Sequence, residues 1–156
     1  MTASLLNGKR RAGVLLHPTS LPGPCEAGVL GPDAERFIDW LRDGGFRIWQ
    51  MLPVGPVGES LSPYQMSSAF AGNPRLIDLA APSVAAWLPA GSMAAGRPWA
   101  EREALLQEAW LGFSTGANPE ERAKYHAYWE GQRSWLLPYA LFRVARRRLG
   151  DAGWWT

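Results

Sequence analysis

The carboxyl, imidazole and thiol side chains of this sequence are fourteen Asp and Glu, two His and one Cys. Asp33, Glu35, Asp39 and Asp43 recur along one amphipathic stretch, and Glu101, Glu103, Glu108, Glu120, Glu121 and Glu130 along later helical ones. Carboxylates spaced in that way are solvated face residues. Only Glu26, Glu59 and Asp78 fall in or beside segments that follow an apolar run, and none has a second carboxylate at a defined spacing. General acid–base work needs such groups held together on one substrate, and the chain offers no such pair. Cys25 has no base beside it, so it reads as a buried or loop thiol. His17 stands where an apolar run meets Pro18, at the end of a predicted strand. That rim carries chemistry in parallel α/β folds; a hydrogen-bonded structural role fits His17 equally well.

Binding is better provided for than catalysis. Residues 52–79 form a long segment with Pro53, Pro56, Pro63 and Pro74 and little regular pattern. Loops of that length are functional or disordered. Tyr64, Phe70 and the apolar return at Leu76 and Ile77 argue for order. The segment leaves the end of an apolar run, residues 46–52, read as a buried strand. Ligands sit at such places in α/β proteins, which makes this loop the candidate site.

The elements that must position the loop are legible. Residues 13–16 are a short continuous apolar run, the pattern of a strand buried on both faces. Pro18, Pro22 and Pro24 end it, because proline supplies no ladder donor. A helix is expected from Pro32, with Asp33 and Glu35 at its positive end and Ala34, Phe37, Ile38 and Leu41 on one face. Gly44 and Gly45 stop it and the second strand follows. Strand, helix, strand predicts a βαβ unit with parallel strands. Residues 75–79 are a candidate third strand, and 80–98 a connector. Helices are expected over 101–113, over 118–130 behind an Asn118-Pro119 start with Glu121 at N3, and over 132–149, with Pro138 kinking the last or lying in its first turn and Gly150 capping it. Helices without intervening strands suggest an insertion on a barrel.

Composition narrows the class. The chain is 47% hydrophobic and 19% charged, which is globular. A net charge of +2 gives no case for nucleic acid, and Arg143, Arg146, Arg147 and Arg148 complement the end of a predicted helix. One cysteine precludes an internal disulfide and suits a reducing cytoplasm. No apolar run approaches membrane-spanning length and no secretory signal is evident, so no membrane partner is expected. Nine tryptophans can stack on sugar rings, although each alone is more simply core packing.

Several words of the sequence resemble one family. They are Ala12-Gly-Val-Leu-Leu-His-Pro-Thr-Ser-Leu-Pro-Gly23, Trp49-Gln-Met-Leu-Pro-Val-Gly-Pro56, Ser62-Pro-Tyr-Gln65 and Ala69-Phe-Ala-Gly-Asn-Pro74 with Leu76-Ile77-Asp78-Leu79. In this order and spacing they resemble the N-terminal part of the amylomaltases, the 4-α-glucanotransferases of glycoside hydrolase family 77. Trp135-Leu-Leu-Pro-Tyr-Ala-Leu-Phe142 and Gly153-Trp-Trp155 extend the likeness to the end of the chain.

The resemblance implies an α/β fold: the start of a (β/α)8 barrel, with its first βαβ unit and long βα loop, plus a mainly helical insertion, the barrel incomplete. The expected division is a mobile lead-in over 1–11, barrel elements over 12–80 and the insertion over 81–156, with the chain cut at Thr156. It implies transfer of 1,4-α-glucan segments by a retaining double displacement, without cofactor or metal. That reaction uses two carboxylates about 5–5.5 Å apart. The family's Asp, Glu and Asp would lie after Thr156, so this chain alone is expected to be inactive. The missing part of the barrel, if made separately, would be its partner. Tyr64 matches the family tyrosine that stacks on a sugar ring. Ser62, Gln65 and His17 are the other expected contacts of a maltooligosaccharide. Where many relatives carry an aromatic and an acid before Ser-Pro-Tyr, this chain has Glu59 and Leu61, and Pro24-Cys25-Glu26 replaces a Pro-Tyr-Gly. Peripheral subsites are therefore open. The alternative is a stand-alone, non-catalytic glucan-binding or interaction module.

Overall fold

The computed structural model describes residues 10–23, 27–92 and 98–150. Cys25, Glu26, the residues before Arg10 and the Gly153-Trp-Trp155 motif lie outside them. Two parallel strands, β1 (Gly13–Leu15) and β2 (Ile48–Gln50), pair with Val14 opposite Trp49. Helix α1 (Pro32–Asp43) connects them, completing the expected βαβ unit. Gly31 is its N-cap, Pro32 opens it with its fixed φ, and the Gly44 N–H closes it by bonding back to Trp40 and Arg42. Asp33 pairs with Arg36 and Asp39 with Arg42 along its exposed side. Such exposed pairs contribute little.

The amphipathic face of α1 covers one face of the sheet. Phe37 meets the Trp49 ring edge-on at 5.0 Å, and Trp40 stacks between Phe37 at 5.7 Å and Phe46 at 5.8 Å. Contacts of this kind add roughly 0.5–1.5 kcal/mol each beyond area burial. The opposite face is bare: Leu15 and Ile48 point away from α1 and are 57% and 41% exposed. This corrects the expectation of strands buried on both faces, and β2 is shorter than the apolar run from 46 to 52. One helix can cover one face, and the described residues supply no second layer.

The buried apolar residues are Leu21, Val29, Ala34, Leu41, Leu76 and Leu79, with Leu105 and Ala109 of the later helical part and Ala117 after it. Residues 75–79 do not form a strand. Asn73 and Pro74 start a short 3-10 turn over Pro74–Leu76, which leaves one parallel bridge between Ile77 and Leu30. Helices α2 (Pro82–Ala85), α3 (Trp99–Gly116) and α4 (Pro119–Leu149) follow, with no strand between them among the described residues. Asn118 and Glu121 form the predicted capping box at the start of α4. The two helices expected on either side of Gly131 are one. Gly131 costs a helix only about 1 kcal/mol relative to Ala and no breaker accompanies it. Pro138 lies well inside α4, where it removes one helical hydrogen bond. Gly150 ends the helix in a left-handed conformation, φ 71°. Trp87, Phe113, Trp110 and Tyr125 join α3 to its neighbours as one aromatic cluster.

Two outcomes follow from this packing. A Cβ on buried Gly28 would run into the Pro18 and Leu21 carbonyl oxygens, which are backbone and cannot give way; Gly28→Ala should lower stability by about 2 kcal/mol in chemical denaturation. The 156-residue chain by itself, with its bare sheet face and exposed Met51 and Val54, should bind the dye ANS strongly. A chain that binds no dye and unfolds in one sharp transition would mean that this face is covered in solution.

Candidate functional site

The candidate loop begins where β2 ends, and its base is tied to the end of β1. The Leu16 N–H donates to the Gln50 carbonyl at 3.0 Å, and the Trp49 indole N–H donates to the Leu16 carbonyl at 2.8 Å. His17 joins the two strand ends. Its Nε2 lies 3.3 Å from the Pro53 carbonyl and its Nδ1 lies 2.7 Å from the Thr19 hydroxyl. The tautomer with hydrogen on Nε2 satisfies both, donating to Pro53 and accepting from Thr19. Beside it Pro18 and Pro56 are fully buried, fixing the backbone on both sides of the joint.

Above this base the loop is closed at successive levels. The Asn73 N–H donates to the Val54 carbonyl at 2.8 Å, bringing exit next to entry. Buried Asn73 also accepts the Arg75 N–H on its side-chain oxygen at 3.0 Å, capping the turn that follows. The Ser67 N–H bonds the Pro56 carbonyl at 2.9 Å, and Val57 and Met66 form an antiparallel bridge. The return is held from below: the Leu30 N–H donates to the Leu76 carbonyl at 2.8 Å and the Arg102 guanidinium to the Ile77 carbonyl at 2.9 Å.

Residues 58–65 are the tip. Two turns build it, with the Leu61 N–H on the Gly58 carbonyl and the Gln65 N–H on the Ser62 carbonyl, both at 3.1 Å. The Ser60 hydroxyl crosses the tip to the Gln65 side-chain oxygen at 2.6 Å and accepts the Ser62 N–H at 3.3 Å. Ser62 Oγ accepts the Tyr64 N–H at 3.4 Å. Leu61 sits at φ 56°, a conformation costing roughly 1–2 kcal/mol for a residue with a Cβ. Out of this frame the Tyr64 ring projects 72% exposed. Phe70, on the returning limb, stacks on Trp135 of α4 at 5.9 Å.

Ser62, Tyr64 and Gln65 thus share one tip, whereas His17 belongs to the base and is bonded to Pro53 rather than to them. The Ser62 hydroxyl hydrogen and the Gln65 amide hydrogens remain available as donors. From 52 to 74 the sole charged residue is Glu59, so the tip suits a neutral ligand with an apolar side and hydroxyls. Among the described residues no three His, Cys, Asp or Glu side chains come together to hold a metal, and no helix is long and apolar enough to cross a membrane.

The site is thus a parallel α/β frame carrying a hydrogen-bonded, aromatic-tipped loop at its strand ends, the candidate ligand-binding edge of an α/β protein. The chain belongs to glycoside hydrolase family 77, the 4-alpha-glucanotransferases, whose family model matches residues 16–156. It is 44% identical over 152 residues to the 4-alpha-glucanotransferase of Thermus thermophilus, covering 93% of this chain and 30% of that one. The Synechocystis 4-alpha-glucanotransferase is 36% identical over 157 residues, covering 94% and 31%. A solved structure of the amylomaltase from Streptococcus agalactiae in complex with acarbose superposes with a TM-score of 0.80 at 27% identity, over 92% of this chain and 31% of that one. The chain therefore spans just under a third of these proteins.

Three features of the site escaped sequence reasoning. Arg102 is a buried charge, and its place on the Leu105–Ala109 stripe of α3 was the signal, since 102, 105 and 109 share a helix face. The Phe70–Trp135 stack and the left-handed Leu61 carry no signal in spacing. The capping geometry yields a direct outcome: Asn73→Ala should cost about 1 kcal/mol in thermal unfolding, and Asn73→Asp should recover most of it.

Proposed function

We propose that this chain is the N-terminal substrate-binding edge of a 4-alpha-glucanotransferase that moves 1,4-α-glucan segments between maltooligosaccharides. The observation that carries the reading is the Tyr64 ring, presented outward on a tip that is hydrogen-bonded into shape before any ligand arrives. An aromatic face suits the C–H face of a glucose unit, and preorganisation spares the ordering cost of binding. Ser62 and Gln65 donate to sugar hydroxyls beside it. His17, with both ring nitrogens engaged, acts by fixing the loop base at Pro53. Apart from Glu59 the loop from 52 to 74 carries no charged side chain, in keeping with an uncharged glucan, and the related amylomaltase's acarbose complex is in keeping with such a ligand.

The reacting carboxylates are assigned to parts of the enzyme outside this segment. One carboxylate attacks the anomeric carbon while an acid protonates the leaving oxygen; the conjugate base then deprotonates an acceptor sugar hydroxyl as the glycosyl-enzyme is cleaved. In this segment Glu59 and Asp78 are the carboxylates of the loop. Asp78 is buried and accepts the Ala80 N–H at 2.9 Å, and Glu59 stands exposed on the tip. The bare face of β1 and β2 fits the interior face of a (β/α)8 barrel. Residues 81–156 fit a helical insertion on it, and the remaining strands are the partner that would cover it. A single cysteine suits a reducing cytoplasm.

The test is disproportionation of maltotriose by the complete polypeptide carrying this segment. Tyr64→Ala should lower kcat/KM roughly hundredfold by losing both ring face and placement, whereas Tyr64→Phe should lose no more than about tenfold. An unsubstituted protein that converts maltotriose into nothing longer would overturn the assignment.

A further inference from the structure

Among the described residues four backbones are left-handed, and three belong to glycine: Gly45, Gly91 and Gly150. The fourth is Leu61. A Cβ in that region crowds the backbone, so Gly or Asn normally takes it. A bulky side chain found there is ordinarily held by its own burial, yet that of Leu61 is 53% exposed. What holds Leu61 is the tip itself: the Gly58 carbonyl takes its N–H, the Ser60 hydroxyl spans to Gln65, and the Val57–Met66 bridge closes the neck. The loop over-determines a costly conformation and uses it to present an aliphatic side chain to solvent, three residues before Tyr64. Strain of that kind gathers at ligand sites.

We propose that Leu61 is a specificity-determining residue of this site: its side chain meets the apolar face of a glucose unit next to the one on Tyr64. This rests on the reading of Tyr64 as a glucan contact. Phe70 offers a further exposed ring on the same loop, but Trp135 already accounts for one of its faces. Leu61 is 53% exposed on a left-handed backbone that the hydrogen bonds of the tip maintain.

The experiment compares Leu61→Asn and Leu61→Met in the complete polypeptide, reading kcat, KM and thermal midpoint with maltooligosaccharides of increasing length. Asn tolerates the left-handed backbone but removes the apolar contact; Met keeps the contact. Leu61→Asn should leave the midpoint unchanged or raised, hold kcat within about twofold and raise KM roughly five- to tenfold, the loss expected for one aliphatic contact. Leu61→Met should hold KM within about twofold. A Leu61→Asn enzyme with unchanged KM at every length overturns the inference, as does Leu61→Met losing as much as Leu61→Asn, or a raised KM accompanied by a falling midpoint. If the unsubstituted protein neither transfers nor binds glucan, the functional reading and this inference fall together. If it transfers normally and only the variants behave as wild type, Leu61 alone is excluded.

Discussion

The candidate site depends on one hydrogen bond more than on any other, the Asn73 N–H on the Val54 carbonyl at 2.8 Å. It brings together the two limbs of a loop that would otherwise carry the full entropy of a flexible chain. Closing such a loop costs free energy that grows slowly with length, but ordering its residues costs about 1–2 kcal/mol each. The sequence offsets that cost before folding, since prolines at 53, 56, 63 and 74 restrict the unfolded loop as well as the folded one. Asn73 then serves twice, through its backbone to Val54 and through its side chain to the turn at Arg75. Pinned at the neck and bridged at Val57–Met66, the tip is left with few ways to arrange itself. Tyr64 is presented by a frame rather than by a tether.

That frame leans on a sheet of two strands, which explains why so much apolar surface is bare. Phe37, Trp40 and Phe46 complete one layer against Trp49. Opposite them Leu15 and Ile48 face outward, although their positions in a parallel sheet call for cover on both sides. The long helix α4 has no buried residue along its described length, and Leu141 and Val144 stand exposed on it. The chain spans under a third of the relatives' length, and a parallel sheet in a complete α/β fold has cover on both faces.

The parts legible in the sequence were those set by local chemistry. Pro32 after Gly31 and the Asn118–Glu121 box each specify a helix start, the Ala34–Leu41 stripe specifies the packed side of the first helix, and the structure has both starts there. Two elements differ from what the sequence suggests. The stretch after Pro74 has strand composition, but Asn73 caps it into a turn and Leu30 takes only Ile77 as a bridge partner. The helices expected over 118–130 and 132–149 are one, since the glycine between them, Gly131, is a small cost within a 31-residue helix. At the candidate site, Tyr64, Ser62 and Gln65 were named from the Ser-Pro-Tyr-Gln word, and as near neighbours in sequence they share the tip. The engagement of His17 by Pro53 was not, since it joins residues 36 positions apart. Nor was the left-handed Leu61, which no residue-type preference would place there.

The most direct measurement is a crystal structure of the complete polypeptide with a bound maltooligosaccharide. The account predicts a glucose ring lying face-on to Tyr64 within about 4 Å, with the tip over 58–65 unchanged and the Asn73–Val54 closure intact. A glucan bound elsewhere, with the Tyr64 ring still in solvent, would contradict it.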